Sequence, residues 1–144
     1  MAANIAIGLL LTAVTFFVHS VGLIGLTALA YRASSRLSPG DRMAGKILAI
    51  TIVASGLVVL LGAEITLWAT ALLGLGVLPT LEDCLYFSTS TFATIGFGDI
   101  VPAMEWRLLA SIEGVVGFLV IGWSAAYLVA AGIRFGPFER EMHF

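Results

Sequence analysis

Charged residues and cysteine are scarce in this sequence. Only 11% of its 144 residues are charged and 60% are hydrophobic, whereas a soluble domain has about 25% charged and about 45–50% apolar residues. This balance excludes an ordinary soluble globule, and it also excludes intrinsic disorder, which needs low hydrophobicity. Cys84 is the only cysteine, so a disulfide scaffold is excluded as well.

Basic residues are also few. Seven Lys and Arg residues stand against nine Asp and Glu residues, which gives a formal net charge of −2. Because nucleic-acid binding requires a basic patch, we expect no nucleic-acid partner. The short Gly96-Phe97-Gly98 motif does not extend to a dinucleotide fingerprint, since Val101 stands where the third glycine would be. We therefore expect no cofactor and no soluble ligand.

Three long segments hold almost no charge. Residues 5–30 contain no Asp, Glu, Lys or Arg, residues 47–81 contain only Glu64, and residues 108–133 contain only Glu113. A membrane-spanning helix needs about 20 apolar residues, so the sequence predicts an all-α membrane protein with three transmembrane helices at about 5–30, 45–77 and 107–133. A cleaved secretory signal over the first segment is disfavoured, because residues 1–4 carry no Lys or Arg.

The basic residues predict the orientation. Arg107 stands alone between the second and third helices, whereas the other six basic residues flank the opposite helix ends: Arg32, Arg36, Arg42, Lys46, Arg134 and Arg140. Because cytoplasmic loops carry the excess of Lys and Arg, the 31–46 loop, with a turn at 38–41, and the tail 134–144 are predicted to be cytoplasmic. The N-terminus is then predicted to lie outside, in a multi-pass cell-membrane protein.

The most informative segment lies between the second and third helices, at residues 80–102. Thr80 followed by Asp83 predicts a helix N-cap, and the helix over 81–92 would be about 18 Å long, roughly half a bilayer. Such a helix enters the membrane from one side and stops near its centre. Its C-terminal end carries roughly half a negative charge, which stabilises a cation there.

Residues 94–99 read TIGFGD, which resembles the selectivity filter of potassium channels, with Phe97 where Tyr is more frequent. A dehydrated potassium ion needs several oxygens in place of its water. In an ordinary strand successive carbonyls point in opposite directions, so alternate residues must adopt unusual backbone angles to aim them all at one axis. Glycine does this at little cost, and Gly96 and Gly98 are two residues apart.

The resemblance implies a set of ion ligands and an assembly. The implied potassium ligands are the side-chain hydroxyl of Thr94 and four backbone carbonyls, those of Thr94, Ile95, Gly96 and Phe97. The Ile95 and Phe97 side chains would point away from the axis, with Tyr86 and Phe87 as packing partners. Irregular backbone at membrane depth must be enclosed by protein, so the pore interpretation implies a homotetramer. Acidic side chains would surround its outer mouth: Asp99, Glu82, Asp83 and Glu105.

The resemblance extends over residues 45–133, to the small prokaryotic ion channels grouped with the two-transmembrane, pore-loop potassium channels. The helix at 5–30 is an addition to that plan. Gly117 stands where the family has its gating-hinge glycine, and Gly114, Gly117, Ile121 and Ser124 share one helix face. That face either lines a cavity or packs closely on another helix. Two positions depart from the family: Ala93 replaces a frequent Thr, and Ser90 stands where some members have a Glu behind the filter.

Three ionisable residues fall inside the predicted spans and are possible modulatory groups. His19 and Glu64 both lie near mid-span, and they form either a pair between the first two helices or two separately hydrogen-bonded residues, the second alternative being slightly favoured. Such a pair would dock the first helix and confer pH sensitivity. Glu113 lies one turn before Gly117, where it reaches Ser90 or Thr89 or faces the cavity.

Together these patterns predict a passive, potassium-selective pore formed by a homotetramer in the lipid bilayer, with potassium as the conducted ion. An enzyme would need a polar constellation at one site, and only His19, Glu64 and Glu113 are available, in separate spans. Two alternatives remain. One is a non-selective monovalent cation channel, and the other is a non-conducting accessory or structural subunit.

Overall fold

The computed structural model describes residues 1–35 and 42–135, and every regular element in these ranges is helical. The elements in chain order are α1 (Ala2–Ser35), α2 (Arg42–Gly74), α3 (Leu81–Phe92), a single 3₁₀ turn (Met104–Trp106) and α4 (Arg107–Phe135). Three of the helices are long and apolar enough to cross a membrane, over Ala2–Ala33, Met43–Gly74 and Met104–Phe135. The prediction of an all-helical chain with three such helices is therefore confirmed.

Helix α2 ends at Gly74, earlier than the predicted end at 77. Gly76 has a positive φ of 69°, which ends the helix because a left-handed residue cannot continue it. Its N–H donates to the Leu73 carbonyl at 3.0 Å, and the N–H of Val77 donates to the Leu72 carbonyl at 3.0 Å. These two bonds form a Schellman motif, which satisfies carbonyls that the helix end would leave without partners.

The chain divides into two compact units. The first consists of Met1–His19 and Leu61–Gly122, and the second consists of Ser20–Leu60 and Trp123–Phe144. Each has its own apolar core, with Trp68, Phe92 and Leu109 fully buried in the first unit and Ala49 and Val53 in the second. In the second unit, residues 36–41 and 136–144 lie outside the described residues, so the predicted turn at 38–41 and most of the predicted tail have no structural account.

Polar side chains attach the first half of α1 to the rest of the first unit. The indole Nε1 of Trp68 donates to Thr15 Oγ1 at 3.0 Å, and His19 Nδ1 lies 2.9 Å from Glu64 Oε1 with both side chains fully buried. The slightly favoured interpretation of His19 and Glu64 as separate residues is therefore wrong. Such hydrogen bonds determine which faces of two helices meet. Apolar contact alone does not determine this in a membrane, because lipid tails are as apolar as the helix surfaces.

Two further contacts bring α1 to the region of α4. The Asn4 side chain donates to the Glu105 carbonyl, and a Cβ at Gly8 would lie 2.7 Å from Ile112. The helix that the sequence adds to the two-helix plan thus packs on its own chain throughout the first unit, against both α2 and α4.

In the second unit, small residues allow α1 and α2 to pack closely. A Cβ at Gly22 would lie 2.5 Å from Leu60, and a Cβ at Gly56 would lie 2.1 Å from Leu26. Helices α1 and α2 therefore approach closely at two glycines, as is typical of membrane proteins. The hydroxyl of Tyr127 on α4 lies 2.8 Å from Thr27 Oγ1 and adds a polar contact to α1.

The contact between His19 and Glu64 predicts a non-additive effect on stability. In a double-mutant cycle with His19→Ala and Glu64→Gln, we expect a coupling of about 1 kcal/mol, the size measured for polar contacts between membrane helices. The free energy of unfolding in detergent gives the four values. A matched cycle of His19→Ala with Thr51→Val, an exposed Thr on α2 whose hydroxyl bonds its own helix, is expected to be additive. Additivity in both cycles would contradict the pair.

Candidate functional site

Helix α3 begins and ends where the sequence predicts. The Thr80 side chain accepts a hydrogen bond from the Asp83 N–H at 3.0 Å, and its hydroxyl donates to Asp83 Oδ2 at 2.7 Å. Glu82 and Asp83 occupy the first turn, where the helix dipole favours negative charge. The predicted N-cap and the predicted helix over 81–92 are both confirmed.

The segment after α3, residues 93–99, is called here the glycine loop, and its backbone alternates in handedness. Thr94, Gly96 and Gly98 have φ values of 58°, 62° and 79°, whereas Ile95 and Phe97 between them keep negative φ. Reversing the sign of φ at every second residue turns successive peptide groups the same way, so their carbonyls point to one side. Gly96 and Gly98 adopt the conformations that the sequence predicts for them.

Thr94 is the unexpected member of this alternation. A positive φ is rare for a β-branched residue and costs about 1–3 kcal/mol, which the surrounding structure must offset. The sequence predicts the carbonyl and hydroxyl of Thr94 as ion ligands but not its positive φ. The even spacing of residues 94, 96 and 98 was the available signal.

Ser90 on α3 holds the loop in this form. Its carbonyl accepts the N–H of Ile95 at 2.8 Å and that of Gly96 at 3.2 Å, and its Oγ accepts the N–H of Phe97 at 3.2 Å. Three successive N–H groups are therefore directed toward one residue, which is itself buried. Ser90, predicted to stand behind the loop, does so as a hydrogen-bond acceptor.

The opposite side of the glycine loop carries oxygen atoms. Across residues 1–35 and 42–135, no hydrogen bond is accepted by the carbonyls of Thr94, Ile95, Gly96 or Phe97. All four residues are exposed in the single chain. Unpartnered carbonyl oxygens aimed one way are suitable ligands for a cation that has lost its hydration shell.

Tyr86 connects the loop to the first turns of α3. Its ring stacks on Phe97 with centroids 6.2 Å apart, as the sequence predicts, and its hydroxyl donates to Asp99 Oδ2 at 2.7 Å, a bond that sequence reasoning missed. This bond holds the pKa of Asp99 below its usual value and raises the pKa of Tyr86, because it stabilises the ionised carboxylate and the neutral phenol. Asp99 is thus a fixed negative charge beside the loop.

Gly117 is the point at which α4 touches the end of α3. A Cβ there would lie 2.1 Å from the Phe92 carbonyl oxygen, so a side chain has no space. Helix α4 continues through Gly117 without a break, and the assignment of a gating hinge stays a prediction. Gly117 and Ser124 are both buried within the chain, which contradicts a cavity-lining role for them and supports the packing alternative.

Glu113 is fully buried beside α3, and the residue it faces is Ser88. The predicted contacts with Ser90 or Thr89 are wrong, as is a cavity-facing position. Neither carboxyl oxygen of Glu113 nor the Ser88 hydroxyl has a hydrogen-bond partner in the described chain. Ser88 and Thr89 are adjacent on α3 and point about 100° apart around the helix axis. Sequence spacing on α4 alone cannot resolve which of these faces Glu113 meets.

Comparison with known proteins adds an independent observation. A family model described as "Ion channel" matches residues 58–134, which include α3, the glycine loop and nearly all of α4. The chain is 32% identical over 93 residues to the intermediate conductance calcium-activated potassium channel protein 4 of Rattus norvegicus, covering 58% of this chain and 22% of the rat protein. It is 40% identical over 43 residues to Protein LctB of Bacillus caldotenax, covering 30% of this chain and 32% of that protein.

The chain therefore spans less than a third of either relative's length. No solved structure matches.

The bond from Phe97 to Ser90 predicts a local effect of Ser90→Ala. Losing the Oγ acceptor is expected to cost about 1 kcal/mol and to speed hydrogen exchange of the Phe97 amide about fivefold. The amides of Ile95 and Gly96 should keep their protection, because they bond to the backbone carbonyl of residue 90. Ser111→Ala, which removes an exposed hydroxyl bonded to its own helix, serves as the control. Unchanged exchange at Phe97 would contradict the geometry.

The bond between Tyr86 and Asp99 predicts a defined pH dependence. Because the pKa of Asp99 is lowered, the bond stabilises the fold above the carboxyl group's ordinary pKa and is lost as pH falls through the lowered value. The pKa of Tyr86 is raised, so at alkaline pH the contribution persists up to that raised value. In Tyr86→Phe we expect the pKa of Asp99 to rise toward its usual value, as measured by carboxyl carbon NMR.

Tyr127→Phe removes a hydroxyl that bonds Thr27 instead and should leave the Asp99 titration unchanged. An Asp99 pKa that is equal in Tyr86→Phe and the unsubstituted protein would show that the bond does not form in solution.

Proposed function

This chain belongs to the ion-channel family, whose members are embedded in membranes, and we propose that it forms a potassium-selective, passive pore. The glycine loop is the proposed selectivity filter. Its carbonyls at Thr94, Ile95, Gly96 and Phe97, with the Thr94 hydroxyl, replace the hydration shell of the conducted ion.

One observation carries this proposal: the alternating sign of φ through the loop. Positive φ occurs at Thr94, Gly96 and Gly98, and Ser90 accepts the N–H groups of residues 95–97. The carbonyl oxygens of residues 94–97 have no hydrogen-bond partner among the described residues. A row of such oxygens offers a potassium ion several ligands in succession, as conduction between adjacent sites requires. Potassium is the ion favoured, because the sequence of the loop follows the potassium-channel signature from residue 94 to residue 99.

Helix α3 is the proposed pore helix. Its last residue, Phe92, comes directly before the loop, so its C-terminal partial negative charge lies close to the first ion ligands. At the other side of the loop, the ionised Asp99 joins Glu82, Asp83 and Glu105 in an acidic mouth. Clustered negative charge raises the local concentration of cations at an entrance.

A homotetramer completes the proposed pore. One loop presents oxygens from one side only, and a dehydrated ion needs them all round. The side chains of Ile95 and Phe97 are 54% and 65% exposed in the single chain, and an apolar cleft of about 490 Å³ lies beside the loop, between α3 and the start of α4. Four copies around one axis would cover these surfaces and enclose the ion path.

A non-selective monovalent cation channel is the second candidate. Ala93, the C-cap of α3, has no hydroxyl at the base of the loop, and Phe97 has none at its centre. Fewer polar groups around the loop would leave its carbonyls less firmly positioned and less able to distinguish potassium from sodium.

Ion flux from the purified, reconstituted protein tests both candidates. With potassium on one side of the vesicle membrane and sodium on the other, we expect a reversal potential that favours potassium. In Gly96→Ala we expect potassium flux to fall about tenfold, because a side chain at φ 62° costs about 1–2 kcal/mol and redirects the carbonyl. Light scattering of the purified protein should give the mass of four chains.

Gly62→Ala is the matched control, since Gly62 lies within α2 with open space around it and an ordinary helical φ. It should conduct as the unsubstituted protein does. Equal permeability to sodium and potassium would favour the non-selective channel. No flux from a protein with the mass of one chain would favour an accessory subunit, and normal flux from Gly96→Ala would contradict the proposed filter.

A further inference from the structure

A groove lies in the second unit, between the ends of α1 and α4. It has a volume of about 370 Å³ and is lined by six residues from these two helices: Ile24, Thr27, Ala28, Tyr31, Arg134 and Phe135. The family model begins at residue 58, so the α1 wall of this groove lies outside the matched region.

The chemistry of the groove changes along its length. Ile24 and Ala28 make one part apolar, and the Thr27 hydroxyl there is already engaged with the Leu23 carbonyl at 2.9 Å. Arg134 brings a permanent positive charge to the other end, and its guanidinium carbon lies 5.3 Å from the centroid of the Phe135 ring. The groove is therefore amphipathic, with a cation at one end and hydrocarbon along the rest.

No acidic side chain balances that cation within the described residues. Arg134 forms no ion pair there, and the described part of the second unit contains no Asp or Glu. All acidic residues that the structure describes belong to the first unit. Within the described residues, the positive charge of Arg134 in the groove thus has no acidic partner, and a ligand from outside can neutralise it.

The groove lies near the ends of two helices that are long and apolar enough to cross a membrane, which would place it where a lipid headgroup meets its acyl chain. Arg134 is next to the end of the apolar helix Met104–Phe135, and Tyr31 is close to the end of Ala2–Ala33. From Tyr31 back to Ile24 the groove follows α1 for about 10 Å, into the apolar part of the span. A ligand that fits has an anionic group at the membrane boundary and hydrocarbon below it.

We propose that this groove binds an anionic phospholipid, with its phosphate on Arg134 and an acyl chain along Ile24 and Ala28. Arg is suited to this ligand, because its guanidinium makes paired, charge-assisted hydrogen bonds to phosphate oxygens. Basic pockets between membrane helices bind anionic headgroups in the same way. The inference does not rest on the proposed ion conduction.

Thermal unfolding of the full chain in a neutral detergent tests the proposal. Three probes are added separately: phosphatidylglycerol, phosphatidylcholine with the same acyl chains, and inorganic phosphate. We expect a saturable rise of the unfolding midpoint with phosphatidylglycerol alone, since a ligand that binds only the folded state stabilises it. In Arg134→Gln the apparent affinity should fall about fivefold, the effect of one basic residue at an anionic surface.

Arg107→Gln is the matched control, because Arg107 is the first residue of the same helix and is also exposed. It should bind phosphatidylglycerol as the unsubstituted protein does. Ile24→Trp should weaken phosphatidylglycerol binding by filling the apolar part of the groove, and the Ile24 side chain is 70% exposed, so the core remains intact.

Several results would overturn the proposal. Equal stabilisation by phosphatidylcholine would remove the role of charge, and equal stabilisation by inorganic phosphate would show an anion site without a lipid chain. No stabilisation by any probe would show that the groove binds no anionic phospholipid. Equal losses in Arg107→Gln and Arg134→Gln would mean that the effect of charge is not specific to the groove.

Discussion

The bonding of three successive amides to Ser90 is the interaction on which the rest of the site depends. The N–H groups of a peptide chain that leaves a helix need new acceptors, and where the chain is shielded from water these acceptors must be protein groups. By taking the amides of Ile95, Gly96 and Phe97, one buried residue removes that cost and leaves the carbonyls on the other side. This arrangement of N–H and carbonyl groups requires positive φ at alternate residues of the loop.

The need to direct the carbonyls to one side also explains the backbone strain at Thr94. A β-branched residue in the left-handed region is unfavourable by itself, yet an ordinary φ there would return the carbonyl to the opposite side. The Ser90 bonds on one flank and the stacking of Tyr86 on Phe97 on the other hold the loop in place. Gly96 and Gly98 thus adopt positive φ at little cost, whereas the surrounding structure must hold Thr94 at positive φ.

Patterns that depend on local chemistry were readable from the sequence. The apolar runs predicted the three long helices, Thr80 and Asp83 predicted the start of α3, and the spacing of Gly96 and Gly98 predicted their positive φ. Contacts between helices were harder to predict from the sequence, because they depend on how two helices are rotated about their axes. Glu113 facing Ser88 and the pairing of His19 with Glu64 required that rotation, which helical spacing alone left open. The bond from Tyr86 to Asp99 instead depends on how the glycine loop folds back on α3.

The contact between Gly117 and the Phe92 carbonyl has a mechanical consequence. It joins backbone to backbone, without a flexible side chain between the two helices to absorb a displacement. A shift of α4 at this level must therefore carry the end of α3 with it, and Phe92 is only two residues ahead of Thr94. The glycine loop and the middle of α4 cannot be displaced independently.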